Sequence, residues 1–89
     1  MPIVSMFYGI IVAMYFADTK RHKAPHIHVK YQEYEAVYLI PEGTVLEGEL
    51  PKSKARLVEA WIELHRDELM ADWTLASQGQ PIFKIEPLR

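Results

Sequence analysis

The periodicity of the apolar residues changes at Pro51, and that change limits what this chain can become. Ahead of Pro51 the hydrophobic residues run in strand-like segments; beyond it they recur at helical spacing. A chain of 89 residues that places its strands first and its helical stretch last reads as α+β, in a single domain spanning 1–89. With 49% hydrophobic residues it can build a core, although the stability margin of so small a domain is thin.

Residues 3–16 are apolar on both alternating sets, with Tyr8, Ile10, Val12, Met14 and Phe16 on one and Ile11, Ala13 and Tyr15 on the other. This predicts one strand that is either central and covered on both faces or turned toward another chain. A polar, basic loop follows and closes at Pro25, which biases Ala24 to an extended conformation. Residues 26–32 then alternate, with Ile27, Val29 and Tyr31 opposite His26, His28 and Lys30. Residues 35–40 make a third strand, Pro41-Glu42-Gly43 a turn, and residues 44–48 a fourth strand. Short connections favour an antiparallel β-meander of about four strands.

Pro51 suits a helix N1 position, with Ser53 as a rival N-cap, and Gly79 supplies the stop. Leu57, Val58, Trp61, Ile62, Leu64, Leu69 and Trp73 form the stripe of one long helix expected to cover the sheet. His65, Glu68 and Asp72 fall inside that stripe, so they need partners, or the helix breaks near Arg66-Asp67 and restarts on a different face. Residues 81–88, with Ile82, Phe83 and Ile85, read as a short final strand or a tail along the helix.

The absence of cysteine removes disulfides, thiolate catalysis and Cys-type zinc sites together. The N-terminus has no basic n-region, and no apolar run approaches the ~20 residues of a membrane span. The expectation is a soluble cytoplasmic protein. Charge is uneven: Lys20, Arg21, Lys23 and Lys30 stand against Asp18 in the first third, while residues 32–50 carry Glu33, Glu35, Glu42, Glu47 and Glu49 with no base. A near-neutral total argues against a dedicated nonspecific nucleic-acid binder, yet the basic loop can still contact phosphate locally.

Chemistry concentrates at residues 20–31, which hold three of the four histidines. On one strand face, His26 and His28 have Cα atoms roughly 6–7 Å apart. Two imidazoles at that spacing can hold one metal, or one can orient while the other exchanges a proton. His22 in the loop is a candidate third nitrogen, so the candidate metal ligands are His22, His26 and His28. Alternatively, His26 and His28 are catalytic in metal-free RNA cleavage, with Lys20, Arg21, Lys23 and Lys30 binding phosphate or another anion. The bland reading is a pair of half-exposed histidines beside a solvated basic loop. His65, Glu68 and Asp72 are a second acid–base or metal candidate, against a kinked helix or salt bridges to the loop. Trp61 and Trp73 read as core anchors. There is no Gly-rich phosphate loop, nucleophile elbow or four-ligand zinc spacing, and the sequence names no cofactor.

The segment Met6-Phe-Tyr-Gly-Ile-Ile-Val-Ala-Met-Tyr-Phe16, the Pro25-His-Ile-His-Val29 strand, Val45-Leu-Glu-Gly-Glu-Leu-Pro51, and Trp61-Ile-Glu-Leu-His-Arg-Asp-Glu-Leu69 through Trp73 together resemble the small bacterial family DUF4160, a domain of unknown function. The family pattern has a Pro-Pro-His-aromatic-His-Val core preceded by Asp-His. Here Ala24 stands for the first proline, Ile27 for the aromatic residue, and Lys20-Arg21-His22-Lys23 forms a shorter loop, so the correspondence is closer at His26 and His28 than at His22. The family has no settled activity. Its members are similar in size and gene setting to components of toxin–antitoxin pairs. The resemblance therefore implies a small, RNA-directed toxin or a subunit that binds a partner protein or a second copy of itself.

Overall fold

The computed structural model describes residues 2–15 and 24–89. The elements are β1 (Ile3–Phe7), β2 (Ile10–Ala13), β3 (His26–Tyr31), β4 (Tyr34–Leu39), β5 (Val45–Gly48), α1 (Lys52–Leu64) and α2 (Arg66–Ser77). The five strands form one antiparallel sheet in the order β1-β2-β3-β4-β5, a meander with the helices packed against it.

The N-terminal apolar run is two strands rather than one. Tyr8 and Gly9 take φ of 50° and 78°, the positive values a two-residue primed turn requires, and β1 folds back on β2 with Phe7 opposite Ile10. Both alternating sets stay apolar within β2 because it is covered on both sides: Ile10 and Val12 are buried on one face and Ala13 on the other. β2 is central, while β1 is an edge strand whose bulge near Val4 leaves that residue fully buried.

Cross-strand register sorts the two faces. Val12, Val29 and Ala36 align in one row and Ile27 with Tyr38 in the next; this face receives Val58, Trp61 and Ile62 of α1. Phe7 and Trp61 rings lie 5.4 Å apart at their centroids. On the other face Ala13, His28 and Val37 align, and Ala13 and Val37 are buried there.

The helical stretch breaks one residue before the expected place. His65, with φ −119° and ψ 25°, ends α1 and starts α2, and its N–H reaches Trp61 and Ile62 carbonyls at 3.0 and 3.2 Å. The break turns the stripe, so Leu64 is 68% exposed instead of facing the sheet, while Leu69, Asp72 and Trp73 carry the buried face of α2. Gly79, at φ 71°, closes α2 in a Schellman pattern: Gln80 N–H bonds Leu75 O at 2.9 Å and Gly79 N–H bonds Ala76 O at 3.1 Å.

The last residues form a tail, not a strand. Ile85 N–H bonds Val4 O at 2.9 Å, and Trp61 Nε1–H donates to Glu86 O at 2.8 Å. Ile82, Ile85 and Leu88 pack inward, whereas Phe83 is 72% exposed.

Candidate functional site

Pro25 sets up the histidine pair. Its carbonyl accepts the Ile40 N–H at 3.0 Å, which pins the entry of β3 to the end of β4. His26 then folds its ring back so that Nδ1 lies 2.8 Å from Ala24 O. A carbonyl oxygen only accepts, so Nδ1 carries the hydrogen and, in the neutral ring, Nε2 carries the lone pair.

His26 is 0% exposed. Its ring centroid lies 5.1 Å from Trp73 of α2 and 5.2 Å from His28, edge-on to the second. His28, partly buried, meets Tyr15 edge-on at 4.6 Å. Tyr15, His28, His26 and Trp73 thus form a continuous run of rings on the sheet face opposite the main core row. The expectation of half-exposed histidines on a wet strand face is corrected at His26. Helix α2 brings Trp73 to this end of the sheet, and an indole covers what alternation alone would leave to water.

The other candidates separate. Lys30 shares the His28 face by alternation and is exposed, with Nζ 3.8 Å from Glu35 Oε1. Lys20, Arg21, His22 and Lys23 lie outside the described residues. His65 Nδ1 pairs with Glu68 Oε1 at 2.5 Å, one turn along, and its ring sits 5.6 Å from that of Trp61. Asp72 instead turns to the tail, where its Oδ1 accepts the Phe83 N–H at 3.0 Å. Among the described residues, the polar residues in the helix stripe are accounted for by a break, a local pair and a bond to the tail; the expected salt bridges to the basic loop fall outside the described residues. Among the described residues no three histidine, aspartate or glutamate side chains are grouped to hold a metal ion.

Among the described residues, two buried groups have shifted titrations. Burial pushes the Asp72 carboxyl up from its ordinary value; the Phe83 N–H bond opposes this and the charge of Glu68 adds to it. Burial also raises the Tyr38 phenol to about 12, with Glu59 adding to the shift, and its hydroxyl makes no hydrogen bond. Neither belongs to the histidine run.

Tyr15 and Trp73 are the ring neighbours that sequence reasoning did not assign to the site. Alternation puts Tyr15 in the set of Ala13, and the pairing of Ala13 with His28 carries that set onto the histidine face. The sequence holds that signal, but it is usable only once the register of β2 on β3 is known. No signal of this kind marks Trp73, which reaches His26 only because the helix restarts at Arg66.

Among the described residues no helix is long and apolar enough to cross a membrane. No curated protein and no solved structure matches the chain. One family model does match, over residues 9–74, a span that runs from the β1–β2 turn to just past Trp73 and so contains the whole run of rings. On that match the chain belongs to the family described as Domain of unknown function (DUF4160).

Proposed function

We propose that this protein is the RNA-directed component of a two-gene, toxin–antitoxin-like bacterial module, with His28 as the group that moves the proton. The observation that supports this reading is the edge-on His26–His28 pair, 5.2 Å between centroids, behind which His26 is held by Ala24 O. A fully buried His26 does not touch a macromolecular substrate, so it serves as a positioning residue. His28, partly buried, is the member a substrate can reach.

In this reading His28 takes the proton of an RNA 2′-hydroxyl, and the freed oxygen attacks the adjacent phosphorus. The bond to the 5′-oxygen breaks, and the imidazolium returns the proton to that leaving oxygen. The products are a 2′,3′-cyclic phosphate and a 5′-hydroxyl. Lys30 and the sequence neighbours Lys20, Arg21 and Lys23 supply positive charge for the phosphate.

The test is His28→Ala, with His28→Gln as a conservative companion, assayed for growth inhibition and for cleavage of a labelled RNA oligonucleotide. Loss of a general acid–base group predicts about a 100-fold or greater fall in cleavage with an unchanged circular dichroism spectrum. Toxicity or cleavage equal to the parent protein would sink the proposal.

A second reading is a non-catalytic module that pairs with a partner protein or a second copy through its N-terminal segment. Met6 and Tyr8, both more than half exposed at the β1–β2 tip, favour it. A monomer in light scattering at micromolar concentration, with no co-purifying neighbour, would count against it.

A further inference from the structure

Strand β5 ends the sheet, and among the described residues no strand pairs with its outer side. It carries two adjacent aliphatic residues, Val45 and Leu46, that are 46% and 43% exposed. Such an edge offers backbone N–H and C=O groups to any extended chain, and native proteins ordinarily place lysine there to discourage pairing. This edge has none. The sequence between Gln32 and Leu50 contains no lysine or arginine at all.

Beside β5, a groove of about 420 Å³ opens between the β4–β5 turn and α1. Glu42, Thr44 and Val45 line one side, and Glu59, Glu63 and Arg66 line the other. The Arg66 guanidinium hydrogen-bonds Glu63, so it offsets one charge of three. Glu42 and Glu59 make no ion pair with any described residue. Tyr38, which pairs with Val45 across the sheet, is fully buried with a hydroxyl that makes no hydrogen bond and lies in the field of Glu59. An acidic groove next to an unpaired, aliphatic strand edge is complementary to an extended segment that alternates basic and aliphatic residues.

We propose that β5 and this groove are a docking surface for an extended basic segment of a partner protein. The segment adds as a sixth strand against β5, covers Val45 and Leu46, and lays a lysine or arginine between Glu42 and Glu59. The main-chain bonds supply affinity, and the charges choose the occupant. Nothing in this depends on proton transfer at His28, and the negative charge directs nucleic acid away from this side of the molecule.

The probe is the acetylated, amidated peptide Lys-Val-Lys-Val-Lys, titrated into the isotope-labelled full chain at low salt, with Glu-Val-Glu-Val-Glu as its control. The proposal expects amide shifts concentrated at residues 45–48, at least tenfold weaker binding to Glu59→Gln/Glu63→Gln, and no binding of the acidic control. Both substituted positions are exposed, and an unchanged circular dichroism spectrum establishes that the variant folds. Equal affinity for the variant, shifts that map elsewhere, or no binding would each overturn it. A self-association that protects residues 45–48 in the absence of peptide would overturn it too, because the occupant would then be a second copy.

Discussion

Tyr38 places a hydroxyl in the core with no hydrogen-bond partner, and burial together with Glu59 pushes its titration up to about 12. An unsatisfied buried polar group costs about 1–3 kcal/mol, and a phenylalanine of nearly the same shape has no such group. Tyr38→Phe should therefore raise the urea midpoint with an unchanged m-value, a gain of about 1 kcal/mol. The same variant should lose a step near pH 12 from a spectrophotometric tyrosine titration. A lowered midpoint would mean that the hydroxyl is satisfied in solution. Tyr38 also illustrates the limit of reading single residues. Alternation along residues 35–40 puts Tyr38 on one face with Ala36 and Ile40, but the surroundings of its oxygen depend on the pairing of β4 with β5 and on α1, which the strand's own sequence does not show. His26 is the same case in reverse. Its strand face was legible from residues 26–31, whereas its burial was not, because it comes from an indole that lies in α2.

At the scale of elements, the features with strong local chemistry were legible: β3, the turn at Gly43, the helix start to within one residue, with Pro51 as the N-cap rather than N1, and the helix end at Gly79. The hairpin at Tyr8 and Gly9 was hidden because a tyrosine at φ 50° is not a usual turn residue and both flanks are apolar. The helix break was expected from polar residues in an apolar stripe and falls at His65, next to the expected dipeptide. Gly48 shows what the sequence does not announce. It adopts φ 78° where β5 leaves the sheet, and a Cβ there would stand 2.2 Å from the Glu35 carbonyl oxygen. That oxygen accepts the Glu49 N–H at 3.1 Å, so it cannot retreat without breaking the end of the β4–β5 ladder. Gly48→Ala should cost about 2–4 kcal/mol, combining left-handed strain with displacement of backbone. Hydrogen exchange should show the loss first in β5. Gly79→Ala, where an added Cβ meets nothing within 4 Å, is the control and should cost about 1 kcal/mol from its positive φ alone. Equal effects at the two positions would refute the steric account.

At the scale of the molecule, the tail closes the fold. Three bonds tie it to separate elements: Phe83 N–H to Asp72 in α2, Trp61 Nε1–H from α1 to Glu86 O, and Ile85 N–H to Val4 O in β1. Both β1 and the tail lie outside the 9–74 family match, so the outlying ends of the chain grip each other and the helices between them. Asp72 makes this grip sensitive to pH. Its carboxyl is raised above its ordinary value, mainly by burial, so the folded protein binds that proton more tightly than the unfolded chain does. The stabilising contribution of the proton is fully present below the unfolded value and is lost as pH rises through the higher, folded value. The groups facing this carboxyl act in opposite senses: Glu68 adds to the upward shift by repulsion, and the Phe83 N–H, which favours the ionised form, only partly offsets the desolvation. Asp72→Asn keeps the Oδ1 acceptor for Phe83 and removes the titration. The two proteins should melt at similar temperatures near pH 3.5, and the variant should gain on the parent as pH rises toward 7. Thermal melts of both across that range measure the difference directly. A parent that instead gains on the variant with rising pH would show that the ionised carboxylate, not its protonated form, holds the tail.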